Sequence, residues 1–200
     1  MRKIVVISMI SMDGVMQAPG GPEEDTSGGF KYGGWTWPYS DKFSQDIFAK
    51  EFSGEYDLLL GRKTYDIWRD YWPKQKGLIA DPFNKATKYV VSHHGSDLTW
   101  EKTVLIDGDV VAKLKELKAG DGPMLSVQGS SNMIQTLLKN DLVDELWLRI
   151  YPITLGKGKR LFGEGTIPAA FELTDSKTSP KGLIFAYYER AGKVKTGSFV

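Results

Sequence analysis

The stretch Leu58-Leu59-Leu60-Gly61-Arg62-Lys63-Thr64 joins residue types that together can hold an anion. Three leucines in a row read as a short strand buried on both faces, where the apolar/polar alternation is lost. Gly61 permits a tight turn, and Lys63 to Arg69 reads as the opening of a helix. A helix start offers free backbone N–H groups and a partial positive charge, and Arg62 and Lys63 add cations. That chemistry suits phosphate; a basic helix start after a core strand is the plainer alternative. The same strand, small-residue turn and helix recur from Met124 to Val127 through Gln128-Gly129-Ser130-Ser131-Asn132. Gly129 lets a ligand approach the backbone and the serine hydroxyls can bond phosphate oxygens, with ordinary N-capping as the alternative. Ser92-His93, at a third strand end, can add donors for another anionic group or simply form an exposed loop. Ligands of α/β sheets bind beyond the carboxyl ends of the strands, so the three loops jointly suit a phosphorylated dinucleotide.

Composition narrows the field. Two hundred residues, 41% of them hydrophobic, are enough for one domain with a sizeable core. Lys plus Arg (26) nearly balances Asp plus Glu (25), and a net charge of +1 gives no reason to expect nucleic acid or a membrane surface. There is no cysteine, which excludes disulfides, thiolate metal sites and a cysteine nucleophile. The two histidines, His93 and His94, are adjacent, and no metal site is expected from them. Neither Gly-x-Gly-x-x-Gly after a strand, nor Gly-x-x-x-x-Gly-Lys-Ser/Thr, nor Gly-x-Ser-x-Gly occurs. No apolar run approaches the ~18 residues that span a bilayer, and a cytoplasmic location is the default expectation.

The elements that must position these loops follow in order. Lys3 to Met9 is a β-branched strand ending in the turn Ser11-Met12-Asp13-Gly14. Gln17 to Trp37 is a long Gly/Pro-rich segment carrying Phe30, Tyr32, Trp35 and Trp37. It is expected to be a flap that lays flat rings against a ligand, a locally packed insertion being the alternative. Ser40 is the expected N-cap of a helix over Asp41 to Phe52, and Asp41 there could be no more than a helix-start carboxylate. The second helix ends at Tyr71-Trp72-Pro73 and a polar loop runs to Pro82. Strands are expected at Lys88 to Val91, Thr103 to Ile106, Met124 to Val127 and Asp144 to Tyr151. Helices are expected around Val110 to Leu117 and, opened by Gln128 to Asn132, through Met133, Ile134, Leu137 and Leu138. Phe171 to Lys177 and Gly182 to Arg190 flank Thr178-Ser179-Pro180-Lys181 as a hairpin. The result is a single α/β domain over residues 1–191 with a mixed sheet, and a frayed tail from Gly192 to Val200.

The order and spacing of these motifs resemble the dihydrofolate reductase superfamily. The likeness is strongest to the reductase domain of the bacterial riboflavin-biosynthesis deaminase-reductase and to its stand-alone bacterial relatives. Leu142-Val143-Asp144-Glu145-Leu146, Pro152-Ile153-Thr154-Leu155-Gly156-Lys157-Gly158 and Leu161-Phe162 look like that family's signature, and Ser11-Met12-Asp13-Gly14 looks like its first turn. The resemblance implies a mostly parallel central sheet flanked by helices, with antiparallel C-terminal strands. It implies NADPH as hydride donor to a small nitrogen heterocycle, either a riboflavin-pathway pyrimidine or a pterin-like ring. Gly61, Arg62, Lys63 and Thr64 match the first phosphate-binding helix start, and Ser92 and His93 the loop that reads the 2′-phosphate. Gly129, Ser130, Ser131 and Asn132 match the pyrophosphate turn, with serines where the family usually has glycines. Asp41 stands near the family's catalytic carboxylate on the first helix. Asp13 would shape the turn beside the nicotinamide, and Trp35, Trp37 and Trp68 would wall the ring pocket or belong to the core. The family often forms homodimers, and the C-terminal edge invites pairing. The alternative function is a non-catalytic nucleotide- or ligand-binding protein on the same fold.

Overall fold

The computed structural model describes residues 1–164 and 166–199. Eight strands form one sheet: β1 (Ile4–Ser11), β2 (Tyr56–Gly61), β3 (Lys88–Val91), β4 (Thr103–Ile106), β5 (Met124–Val127), β6 (Glu145–Tyr151), β7 (Phe171–Thr178) and β8 (Ile184–Arg190). Their order is β4-β3-β2-β5-β1-β6-β8-β7. The first six in that order are parallel, and β8 and β7 add antiparallel at one edge. The α/β class and the antiparallel C-terminal pair are as the sequence implied. Among the described residues five α-helices accompany the sheet: α1 (Lys42–Glu51), α2 (Arg62–Tyr71), α3 (Ala80–Lys85), α4 (Val110–Ala119) and α5 (Ser131–Lys139).

The apolar strands feed both faces, which is why they lack alternation. Ile4, Val6 and Leu59 pack with Leu114 of α4 and with Met133, Ile134 and Leu137 of α5. Val5, Ile7, Leu58 and Leu60 pack on the other face with Tyr65 and Trp68 of α2, Phe83 of α3 and Phe52 after α1. A third cluster joins Phe30 and Trp35 to Tyr151, Leu183 and Phe185.

Three local expectations change. The cap of α1 is Asp41, not Ser40: its Oδ1 accepts from Ser44 N at 2.8 Å, and Ser44 Oγ accepts from Asp41 N at 3.0 Å, a reciprocal capping box. The polar loop after Pro73 contains α3, a six-residue helix held by Ala80 and Phe83 in the core. In the flap, the rings do not act as one surface. Trp35 turns inward, its Nε1 donating to Gln17 O at 2.8 Å and its ring meeting Tyr151 edge-on, whereas Trp37 is 81% exposed.

Residues 192–199 carry no helix or strand, and Val200 of the expected tail lies outside the described residues. Most of β7 is exposed at its edge of the sheet. Among the described residues no helix is long and apolar enough to cross a membrane.

Candidate active site

The starts of α2 and α5 meet. Gly61 N–H donates to the Gly129 carbonyl at 3.2 Å, tying the two turns together. A Cβ on Gly61 would lie 2.9 Å from Ser130 Cβ and 3.1 Å from its nitrogen, and one on Gly129 would lie 2.5 Å from Thr64 Oγ1. Both glycines are there because one turn packs onto the other. Neither helix start has a side-chain cap, and neither carries an acidic residue in its first turn. In contrast, Asp41 and Asp109 cap α1 and α4. The leading N–H groups of α2 and α5 therefore remain donors for an external anion, at the positive ends of two helix dipoles.

Beside these turns lies a cavity of ≈ 370 Å³. Lys63, Thr64, Ser130 and Ser131 line its polar end. Trp68 and Phe83, stacked at 4.8 Å and 17°, form an apolar wall with Phe48 and Phe52. Arg149 reaches the cavity from β6, where it pairs with Met9 of β1 and Phe185 of β8 in the sheet register. Gln17 to Gly20, Glu24 and Asp25 bring the flap against the opening.

The flap is clamped by charge. Asp25 accepts from Lys63 Nζ and Lys159 Nζ, each at 2.6 Å, and so bridges α2 to the loop after β6. Gln17 Nε2 donates to the Asp25 and Ser27 carbonyls at 2.9 Å. Desolvation alone would raise the Asp25 pKa, but hydrogen bonds from Lys159, Lys63 and Ser27 outweigh it and hold the carboxyl well below the usual range. Its folded pKa lies below its unfolded one. The clamp therefore contributes fully above about pH 4 and is lost as pH falls toward the folded value. The opening free energy of residues 17–26, measured by hydrogen exchange, should fall on acidification below about pH 4. Asp25→Asn should loosen the flap at neutral pH and remove that acid dependence; an unchanged dependence would assign it to another group. Glu24 behaves oppositely: burial raises its pKa, against the Gly20 N–H that donates to it at 2.6 Å.

The residues expected from sequence divide between the cavity and other places. Lys63, Thr64, Trp68, Gly129, Ser130 and Ser131 come together at it. Gly61 and Arg62 sit beside them without lining it; Arg62 pairs with Asp66 and donates to the His94 carbonyl at 3.0 Å. That bond brings the Ser92-His93 loop next to α2, with Ser92 Oγ donating to the same carbonyl and His93 exposed. Asn132 is exposed on α5. Asp41, Trp35 and Trp37 do not reach the cavity, for the capping, packing and exposure reasons above. Asp13 does not either. It accepts from Ser11 Oγ and from the Leu155 and Gly156 amides, which pull its pKa down to about 2 and pin the first turn to the loop after β6. Among the described residues no group of three or more His, Asp or Glu is placed to hold a metal.

With that geometry in hand, the family model for the RibD C-terminal domain matches residues 2–185. The chain belongs to the RibD C-terminal domain family. Membership and fold together place it in a reductase family. An uncharacterized Bacillus subtilis (strain 168) protein, YyaP, is 24% identical over 197 residues, 96% of either chain. A Shewanella sp. PV-4 protein named for riboflavin biosynthesis has the same fold, with TM-score 0.67 and 23% identity over 94% of this chain and 99% of its own. Dihydrofolate reductase from Enterococcus faecalis, solved with NADP(H) and RAB-propyl, has TM-score 0.59 and 18% identity over 94% of this chain and 96% of its own.

Sequence reasoning passed over four charged residues that this RibD-family cavity gathers: Glu24, Asp25, Lys159 and Arg149. For Arg149 a signal existed. Strand Glu145–Tyr151 puts Trp147, Arg149 and Tyr151 on one face, so a lone cation falls on a face that a two-sided sheet must cover. Asp25 gave no such signal, because its two lysine partners are remote in the chain.

Proposed function

We propose that this member of the RibD C-terminal domain family is an NADPH-dependent oxidoreductase that reduces a small nitrogen heterocycle, a pyrimidine or pterin-like ring. The observation that carries the reading is the pair of uncapped helix starts meeting at Gly61 and Ser130 beside an aromatic-walled cavity. The donor set fits a dinucleotide phosphate chain. The first turns of α2 and α5, with Thr64, Ser130 and Ser131, would hold the pyrophosphate, while Arg62, Ser92 and His93 would face the 2′-phosphate side. When bound, NADPH supplies the hydride. The chain's own residues orient and enclose the ring: Trp68, Phe48 and Phe52 offer flat apolar contacts, and the flap held by Asp25 excludes water. Glu24 is the carboxyl at the cavity wall that retains its proton to higher pH than usual.

Titration with NADPH and, separately, NADH, followed by nicotinamide fluorescence, tests the reading. NADPH should bind more tightly, and Arg62→Ala should weaken it about tenfold, the size of a charge-assisted contact. Failure to bind either cofactor would end the reductase reading. The second reading, a binding protein without catalysis, has one observation in its favour: Asp41 caps α1 away from the cavity. It predicts NADPH that binds but is never oxidised against any heterocycle.

A further inference from the structure

Arg149 is fully buried at the cavity wall, and its guanidinium is only partly used. Nη2 donates to Glu51 Oε2, and Glu51 Oε1 accepts from the Tyr187 hydroxyl. Nε and Nη1 are buried with no hydrogen-bond partner among the described residues. The rings of Phe48, Phe185 and Tyr187 surround the group at 5.6–5.8 Å. Ring faces attract a cation but do not satisfy N–H donors as oxygen acceptors do, and orphaned buried donors are uncommon in folded proteins.

We propose that Arg149 is the residue that reads the substrate ring, donating to acceptor atoms on its inward edge. This rests on the reading of the cavity as the ring pocket. Three points fix the class of ligand. A guanidinium has only donors and does not deprotonate in proteins, so it can meet only acceptors. Glu51 already balances its charge, so the preferred partner is neutral: ring carbonyl oxygens rather than a carboxylate or phosphate. Glu51 itself is engaged on both oxygens, by Arg149 and Tyr187, and does not present a free carboxylate to ring amino groups. An edge made of amino groups would set donor against donor and be refused. The pocket is therefore built for an oxo-substituted ring and against its amino-substituted counterpart.

The test uses a matched pair of probes, uracil and 2,4-diaminopyrimidine, near pH 8.5 where the diamine is neutral. Binding is read by chemical-shift perturbation and by melting temperature in the wild type, Arg149→Lys and the double variant Arg149→Met/Glu51→Leu, which leaves no orphaned charge. Uracil should bind about ten- to a hundredfold more tightly than the diamine. Arg149→Lys should keep part of that preference and the double variant should lose it, while NADPH binding stays intact in all three. A wild type that favours the diamine, or a folded double variant that keeps the preference for uracil, would overturn the proposal. So would the absence of any response to either ring around Phe48, Phe52 and Trp68. NADPH titration of the same samples decides separately whether the reductase reading survives.

Discussion

Gly61→Ala should cost about 1–3 kcal/mol of stability, the range for forcing a methyl into a packed contact, and should abolish measurable NADPH binding. The backbone at Gly61 has φ −75° and ψ 153°, which alanine adopts freely, so strain in the chain itself is not the cause. The cause is the neighbour. The new methyl would fall on Ser130, against both its side chain and its backbone nitrogen. To relieve that contact the β5–α5 turn must move away from α2, and the separation between the two helix starts is what the proposed phosphate site would depend on. Ser130→Gly in the same chain removes the side-chain part of the clash and should restore most of the stability. It should restore binding less completely, because the nearest remaining atom, Ser130 N at 3.1 Å, still crowds the methyl and belongs to the turn proposed to hold the phosphate. Thermal unfolding and NADPH titration of the single and double variants check this. Full NADPH affinity in a folded Gly61→Ala protein would show that the two turns do not act together.

How far the sequence could be read depended on the range of the forces involved. The strand Leu58–Leu60 and its glycine turn were legible because both are local: burial removes alternation, and a tight turn needs glycine. The antiparallel end of the sheet was legible from hairpin chemistry around Ser179-Pro180. Helix α3 was not, since six residues containing Pro82 have little helical signal of their own and rely on Phe83 packing against Phe52, Trp68 and Trp72. The flap departs from expectation for a related reason. Its aromatics suggested a ligand-facing surface, yet the cavity receives Gln17, Glu24 and Asp25, while Trp35 is drawn inward by Tyr151 and the Gln17 carbonyl. Which residue of a loop faces inward is decided by partners far along the chain, and Lys159 is one of them.

Replacing Glu51 should be the most destabilising conservative change near the cavity. Glu51→Gln keeps the shape of the side chain but leaves the Arg149 cation, 1% exposed, without a counter-charge. Removing one partner of a buried pair costs about 3–5 kcal/mol. In a domain of this size that lowers the melting temperature by roughly 6–20 °C. The loss cannot be read as what the pair contributes, because much of it is the penalty of an uncompensated ion. Arg149→Met/Glu51→Leu tests this directly: with both charges gone and apolar volume in their place, most of that loss should be recovered, the shortfall from the wild type being the cost of the Tyr187 hydroxyl that then lacks its Glu51 acceptor. The Phe48, Phe185 and Tyr187 rings already around Arg149 would accept the methionine as readily as the guanidinium. Such an outcome would mean that the fold does not need the ion pair, and its place at the cavity wall would then be explained by what it binds. A Glu51→Gln protein within about 1 kcal/mol of the wild type would instead put the pair in the class of solvated surface bridges. That would remove the low-dielectric setting on which selection of an oxo-substituted ring by Arg149 depends.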